Sequence, residues 1–539
     1  MKMKKSFSVF MLVLTTLSCL VFTSCSEKDE DLQIRAITVS PTSSMLKPGQ
    51  SQTLTVTIFP ENALNKKVNW NSSDPDIVNV NAMGEITAIK LGSATITAIT
   101  EEGGERATAS ITVIANDPVA IGTKGSQAVA VEGVWGKYTT ISVNSQIFVP
   151  EGKTLTIEEG VEVIISADAQ DNNNTKIEFI VEGNLFCYGT KDAPVIFSVP
   201  SGNRDKKTSG RHWGGIIGGT NCQAILLENV LIEYTGAITT ASSPSVTKGL
   251  FKAGGGDGMV AFNTNNPAGK YVINNSTFRY TGEDAIYVQG GECIFMNNLF
   301  YANGNEGGEG INVKAGCKVD AAFNIMYSPN TNAFKLSNSG FGGDRYLAQI
   351  NAYNNTIINS GWRRDPGKPK GGSIWAESGH VNIFNNLIVN CMFGSKAPNF
   401  GAGGEEGVTN TSVIDYNFYA SGTAGSNIPQ HIQNGTVTAY DGFKSGVKDV
   451  VYGENSIYGT AAGDNDPKFV SFPFMSNSVL DIHFDESWNL RLQAGSPALN
   501  ASKVRTGFTP YFSTNGLTVN GKTYKSPVPA NYFGAFGQN

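Results

Sequence analysis

In the stretch 298–419 one pattern returns five times: Asn298-Leu299-Phe300, Asn324-Ile325-Met326, Asn355-Thr356-Ile357, Asn386-Leu387-Ile388 and Asn417-Phe418-Tyr419. Asn229-Val230-Leu231 and Asn275-Ser276-Thr277-Phe278 precede it. The seven asparagines are separated by 46, 23, 26, 31, 31 and 31 residues, the first interval being twice the second. Two positions ahead of the Asn stand Leu227, Ile273, Met296, Ala322, Tyr353 and Phe384, nearly all apolar. Period-two alternation places both columns on one strand face, pointing inward. An inward Asn must satisfy its amide, and stacked asparagines do so by bonding to the coil above and below. A repeat near 25 residues without helical spacing implies a coil of short strands, each pairing in parallel with the next.

This pattern predicts an all-β chain whose main body is a long right-handed parallel β-helix, over 125–539 with a C-terminal cap. The stretch 125–500 resembles the pectin-lyase-like superfamily, and the handedness follows from that resemblance and from the crossover rule. Val149–Ile157 and Val181–Leu185 look like initiating coils, Leu490–Asn500 like the family's closing coil, and Tyr532–Gly537 like a capping terminal strand. At ~4.8 Å per strand, roughly 13–15 coils would make a rod about 60–70 Å long.

Function is expected on the outward face. A second strand register follows each Asn strand: Val260–Phe262, Ile286–Val288, Ile311–Val313, Phe334–Leu336 and Ile374–Ala376. Their apolar flanks point inward, which leaves Ala261, Tyr287, Asn312, Lys335 and Trp375 in one outward column. Asn263, Gln289, Lys314, Ser337 and Glu377 follow two positions on. Just ahead lie Asp257, Glu283, Asp284 and Glu309 in consecutive coils. Stacking brings such carboxylates within roughly 5–10 Å. There they either hold a divalent cation, with Glu283, Asp284 and Glu309 as ligands for Ca²⁺, or raise one another's pKa for general acid work. Related β-helix enzymes pair carboxylates and Ca²⁺ with a basic group that abstracts a proton beside a uronate; that resemblance makes Lys314 or Lys335 the base. A solvated turn rich in Gly and acid explains the same residues without catalysis.

One loop adds to this face: Trp362-Arg363-Arg364-Asp365-Pro366-Gly367-Lys368-Pro369-Lys370. Arg363, Arg364 and Lys368 offer cations to carboxylates or sulfates, and Trp362 offers a flat face to a sugar ring. With Tyr287 and Trp375 these residues would make a cleft for an acidic glycan; a Pro-stiffened surface insertion is the plainer reading. His212, His380, His431 and His483 are scattered and form no triad or metal spacing.

Ahead of the coils, 34–115 reads as six short alternating strands: Gln52–Phe59, Val68–Trp70, Ile77–Val80, Glu85–Ile89, Ala94–Thr100 and Thr108–Val113. Val68-Asn69-Trp70-Asn71-Ser72-Ser73-Asp74-Pro75, Gly84-Glu85-Ile86-Thr87-Ala88 and Gly92–Ala98 closely resemble the bacterial immunoglobulin-like group-2 domain. That resemblance implies a small β-sandwich used as a stalk or adhesive spacer on bacterial surfaces, with Trp70 in its core. Residues 116–124 read as a linker.

The N-terminus reads as targeting. Lys2, Lys4 and Lys5 precede an apolar run from Phe7 to Phe22 and then Thr23-Ser24-Cys25. Residues 1–24 make a signal peptide too short to serve as a span. Cys25 sits where a lipobox places its acylated cysteine, and the acidic tether at 25–33 resembles a surface-export signal. The resemblance implies a lipid anchor in the outer membrane, facing the cell exterior.

Composition bounds the rest. The chain has 539 residues, 61 of them Gly, and only 16% are charged against the usual ~25%. Its net charge of −6, falling to −9 without residues 1–24, excludes nucleic acid as a partner, since no basic excess exists to neutralise phosphates. The five internal thiols, Cys187, Cys222, Cys293, Cys317 and Cys391, cannot all pair, and no spacing suggests zinc. The sequence thus points to a monomeric surface lipoprotein that binds polysaccharide along one face of its β-helix, with catalysis left open. A polysaccharide lyase or glycoside hydrolase acting on acidic glycans, or an adhesive rod that binds protein, are the alternatives.

Overall fold

The structure is a computed structural model that describes residues 33–208, 211–254, 260–305, 307–364, 372–392, 394–397, 407–420, 431–433, 436–438, 451–458 and 463–538. The signal segment, Cys25, Asp257 and Lys368 lie outside the described residues. The chain divides between Ala115 and Asn116 into two compact units.

The first unit is a β-sandwich. Ser43–Leu46, Arg106–Val113, Gly92–Thr100 and Val68–Ser72 form a four-stranded sheet in that order. Ser51–Thr53, Glu85–Ala88 and Val78–Val80 make a three-stranded one, and Ala36–Ser40 pairs with Thr55–Phe59. Two of these strands, Ala36–Ser40 and Ser43–Leu46, went unread in the sequence, and the run expected at Gln52–Phe59 breaks at Leu54. Leu54 is buried with Val78, Ile86, Ile96 and Ile111. Trp70 packs half-buried against this core. Its ring lies so close to Gly84, at φ +78°, that an added Cβ would stand 2.6 Å from it. Only glycine suits that turn.

The second unit is a parallel β-helix. Its first sheet has eleven strands, from Val119–Ile121 to Phe418–Ala420. The second has ten, from Val129–Ala130 to Ser395–Lys396, and the third eleven, from Gly133–Trp135 to Val451–Tyr452. The first ten coils each give one strand to each sheet, and the inward apolar residues merge into one continuous core. The stretch expected as a linker therefore already holds the first strand of the solenoid.

Among the described residues eleven coils stand in place of the 13–15 expected, for two reasons. The interval of 46 is one coil, not two, because Leu231 pairs directly with Thr277 and the surplus residues form an insertion with a short helix at Pro244–Thr247. The C-terminal residues add no coils either. Phe469–Ser471 and Asn489–Leu492 pair antiparallel, and Phe533 packs on Phe418 outside any strand.

The Asn ladder is present, at a corner rather than on a strand. Asn298, Asn324, Asn355, Asn386 and Asn417 are buried where the chain passes from the third sheet to the first. The backbone N–H of each of the first four donates to the next residue's Oδ1 at 3.0–3.1 Å. Each Nδ2 also reaches a carbonyl of the preceding coil, as Asn355 does to Ala321 at 3.1 Å. Asn229 and Asn275 do not belong to this ladder. They occupy the position just before it, with φ +51° and +52°, alongside Asn297, Phe323, Asn354 and Asn385. That left-handed residue breaks the alternation, so Met296, Ala322, Tyr353 and Phe384 face outward instead of inward.

A C-terminal strap covers that outward face of the third sheet. Phe512 and the hairpin Leu517–Val519/Lys522–Tyr524 bury Phe186, Leu226, Val272 and Ile294. Phe508 meets Phe384 edge-on at 4.8 Å. Asp320 accepts the N–H groups of Phe512 and Tyr511 and heads a column of side-chain amides through Asn351 to Asn382. The five internal cysteines are buried and form no disulfide with one another.

Candidate functional site

Strand register sets the outward row of the second sheet. Asn263, Tyr287, Asn312, Lys335 and Trp375 align in successive coils. Sequence reading had Ala261 at the head of this row, but Ala261 is a core residue and Asn263 takes its place two positions on. Lys314, Ser337 and Glu377 lie beside the row, at the ends of the same strands, and all three are buried.

At the start of these strands the carboxyls of Asp284 and Glu309 meet in a hydrogen bond, and Asp284 also accepts the Glu309 N–H and the Asn312 Nδ2, each at 2.8 Å. Burial, with Glu309 alongside, pushes the Asp284 carboxyl well above the usual carboxylate range. Burial acts on Glu309 too, but the Asp284 bond and the charges of Lys335 and Lys314 outweigh it and hold Glu309 below its ordinary value. Across two coils the two carboxyls are thus pushed in opposite directions. Lys314 donates to Ser337 Oγ at 3.1 Å and stands 5.7 Å from the Tyr287 ring centre. Burial and the neighbouring Lys335 bring its ammonium down to about 8.

The remaining candidates divide. Glu283 is not free for a cation: Arg211 donates to it at 2.8 Å in a largely buried ion pair. Among the described residues, no group of three or more His, Cys, Asp or Glu side chains converges as a metal site. Arg363 is not placed to meet a ligand. Its Nη1 and Nη2 donate to the carbonyls of Gly304, Asn303 and Ser328 at 2.7–2.8 Å, and burial lowers it to about 10. A guanidinium fork fits three carbonyls of a crowded corner as well as it fits a carboxylate. Trp362 is likewise tied down, its Nε1 donating to the Asn390 carbonyl at 2.7 Å. Arg364 stays half-buried nearby, and Trp375 is nearly covered within its row.

Sequence reading missed a second site on the outer face of the first sheet. Glu233, Arg279 and Tyr301 align across three coils. Buried Glu233 accepts Ser198 Oγ at 2.5 Å and Arg279 Nε at 2.6 Å, and Arg279 Nη1 donates to Tyr301 Oη at 2.8 Å. Tyr234 and Tyr280 stack at 5.4 Å beside them, both at left-handed positions, φ +62° and +54°. With Arg204, Lys206 and His483–Glu486 these groups enclose a cleft of about 610 Å³. The one available signal was local: Glu233-Tyr234 and Arg279-Tyr280 repeat a charged residue followed by Tyr in neighbouring coils.

Among the described residues, no helix is long and apolar enough to cross a membrane. Residues 33–111 match the family model of the bacterial Ig-like domain (group 2). The chain is 40% identical over 97 residues to an uncharacterized protein of Clostridium acetobutylicum, covering 17% of this chain and 10% of that one. It is 48% identical over 63 residues to an alpha-L-arabinofuranosidase of Bifidobacterium longum, 12% of this chain and 6% of the relative. Over 72 residues it is 38% identical to a kappa-carrageenase of Pseudoalteromonas carrageenovora, 13% and 18% respectively. The chain spans less than a fifth of the length of each of these relatives. The protein is therefore an all-β chain with a bacterial Ig-like module ahead of a parallel β-helix.

Proposed function

We propose that this is a bacterial surface lipoprotein, anchored through Cys25 in the outer membrane and facing the exterior, whose pectin-lyase-like β-helix binds polysaccharide across its second sheet while the Ig-like module serves as spacer. The observation that carries the reading is the row Tyr287, Asn312, Lys335 and Trp375, held in register over four coils with Lys314 beside it. Such a row meets successive units of a polymer with alternating aromatic faces, amides and cations. Two relatives carry the names of glycan-directed enzymes, which supports a carbohydrate-related role. Ca²⁺ has no place in the proposal.

The test is a glycan array probed with the protein from Ser26 onward and with Lys335→Ala. Binding to polymers bearing carboxylate or sulfate is expected, weaker by about tenfold in the variant, or about 1.4 kcal/mol. Lys314 is charged below a pH of about 8 and loses its proton above it, so retention should fall as pH rises through that value. Absence of any glycan binding sinks the reading. The hydrogen-bonded Asp284–Glu309 pair beside Lys314 favours a second reading, polysaccharide β-elimination with Lys314 as base. Carboxyls in direct contact are too close for the paired-carboxylate hydrolysis of glycosides, which needs about 5 Å or more. New ultraviolet absorbance from an unsaturated product on uronate polymers would establish that second reading.

A further inference from the structure

We infer that the first-sheet cleft around Arg279 is a separate binding site for a neutral, hydroxyl-rich sugar chain. The inference stands apart from the second-sheet reading, because it rests on a different face of the coil. Two clefts meet at Arg279 and Glu486, one of about 610 Å³ and one of about 630 Å³ that continues along Leu231, Thr277 and Asn297. Each is of the size that takes a small ligand, roughly 300–1,000 Å³. Together they make a groove across several coils, the shape a short oligosaccharide fills.

The chemistry of the groove selects the ligand class. Arg279 is fixed from behind by Glu233 at 2.6 Å and from the side by Tyr301 at 2.8 Å, with Glu486 at 3.4 Å. Among the described residues, none takes its second η nitrogen. A guanidinium beside carboxylates presents donors and acceptors side by side, which matches the paired hydroxyls of a sugar. The same arrangement is poor for a polyanion, because the cation is already compensated. Around the rim Lys191, Arg204 and Lys206 adjoin Asp192 and Asp205 in the chain, and Asp485 and Glu486 line the opposite side. Arg279 is compensated by Glu233 and Glu486, so the cations and acids around the groove come close to balance. Such a surface gives a polyanion little steering.

The apolar share of the groove comes from tyrosine. Tyr234 and Tyr280 stack with an interplanar angle of 15°, and Tyr280 Oη lies 3.4 Å from His483 Nδ1. Both tyrosines sit at a left-handed backbone position that bulky residues seldom adopt. In later coils the same corner holds Ser328, Asn359 and Asn390. Strain of order 1 kcal/mol per residue persists where the surroundings hold it, and here the surroundings are the groove.

Titration calorimetry of the full chain with neutral hexasaccharides of xylose, galactose and glucose, and with hexagalacturonate, tests the inference. A double variant, His483→Ala with Glu486→Ala, removes two exposed side chains from the groove wall; the Glu486 side chain is 70% exposed, so the fold should persist and the melting temperature stay unchanged. At least one neutral probe should bind, unaffected by salt up to about 1 M, where exposed charges are screened within ~3 Å. Its affinity should drop about tenfold in the double variant, or about 1.4 kcal/mol. Three outcomes overturn the inference: no neutral probe binds, neutral binding is untouched by the double variant, or the variant loses hexagalacturonate binding instead. The first and second leave the second-sheet reading standing, and the third counts against it.

Discussion

Between Asn229 and Asn390 each coil turns twice through a left-handed residue, and the two corners have been put to different uses. At the corner leading from the third sheet to the first, Asn229, Asn275, Asn297, Asn354 and Asn385 take φ near +50° to +57°, and buried asparagines stand directly behind the later ones. At the far end of the first sheet the left-handed residues are Tyr234, Tyr280, Ala302, Ser328, Asn359 and Asn390. The residues behind them are as varied: Thr281, Asn303, Ser360 and Cys391 are all fully buried. The backbone demand is the same at both corners. What differs is the column behind the left-handed residues, since Asn354 and Asn385 at the first corner also bond C-terminal residues. A uniform column of amides closes on itself and is spent on stability. A mixed column leaves groups over for Arg363, for the C-terminal residues Phe474–Ser478, or for a groove.

The sharpest way to break this contrast is at the uniform corner. Asn355→Leu takes the acceptor from the Asn324 N–H, one of two acceptors from the Asn324 Nδ2, which keeps Phe295, and a donor from the Ala321 carbonyl. At roughly 1–3 kcal/mol per buried unsatisfied group, a loss of about 3 kcal/mol or more is expected from the shift of the urea midpoint. A loss under about 1 kcal/mol would mean the ladder is not a cooperative column. At the mixed corner, Arg363→Ala strips the Gly304 and Ser328 carbonyls of the guanidinium and leaves Asn303 with the Asn330 N–H alone, which should cost about 2 kcal/mol. Glycan retention by the folded Arg363→Ala protein should match that of the parent; a fall in retention without a fall in stability would return Arg363 to the ligand. The smallest effect is expected from Phe323→Asn, which replaces a half-buried ring at φ +56° with the residue its neighbours Asn297 and Asn354 already use. Relief of strain and loss of the Tyr353 ring contact oppose each other, so thermal melting should report a change under about 1 kcal/mol.

The uniform corner is the part of this molecule that can be read from sequence, because one amino acid recurs at one backbone position. It can also mislead for the same reason. Asn suits the left-handed position and the ladder position next to it, so Asn229 and Asn275 read as rungs when they are the turn before the rungs. The second-sheet row follows from alternation, yet the slip from Ala261 to Asn263 shows that alternation fixes parity and not register. Arg363 read as a ligand cation because a basic loop looks the same whether its guanidinium meets solvent or three backbone carbonyls. The first-sheet groove had least signal of all. Glu233, Arg279 and Tyr301 fall at unequal intervals, and His483 and Glu486 reach them from some 200 residues further on.

The strap across the third sheet has a kinetic consequence. Coils wind through contacts between neighbouring turns, so the ladder can grow by local steps. The strap cannot: Asn520 bonds Tyr188 across 332 positions, and Arg505 bonds Asn385 across 120. Joining ends 300 rather than 30 residues apart costs about 2 kcal/mol more in chain entropy. During refolding the closing segment is therefore the last to dock, and until it does Leu226, Val272 and Ile294 present a bare, sticky strip of sheet to other molecules.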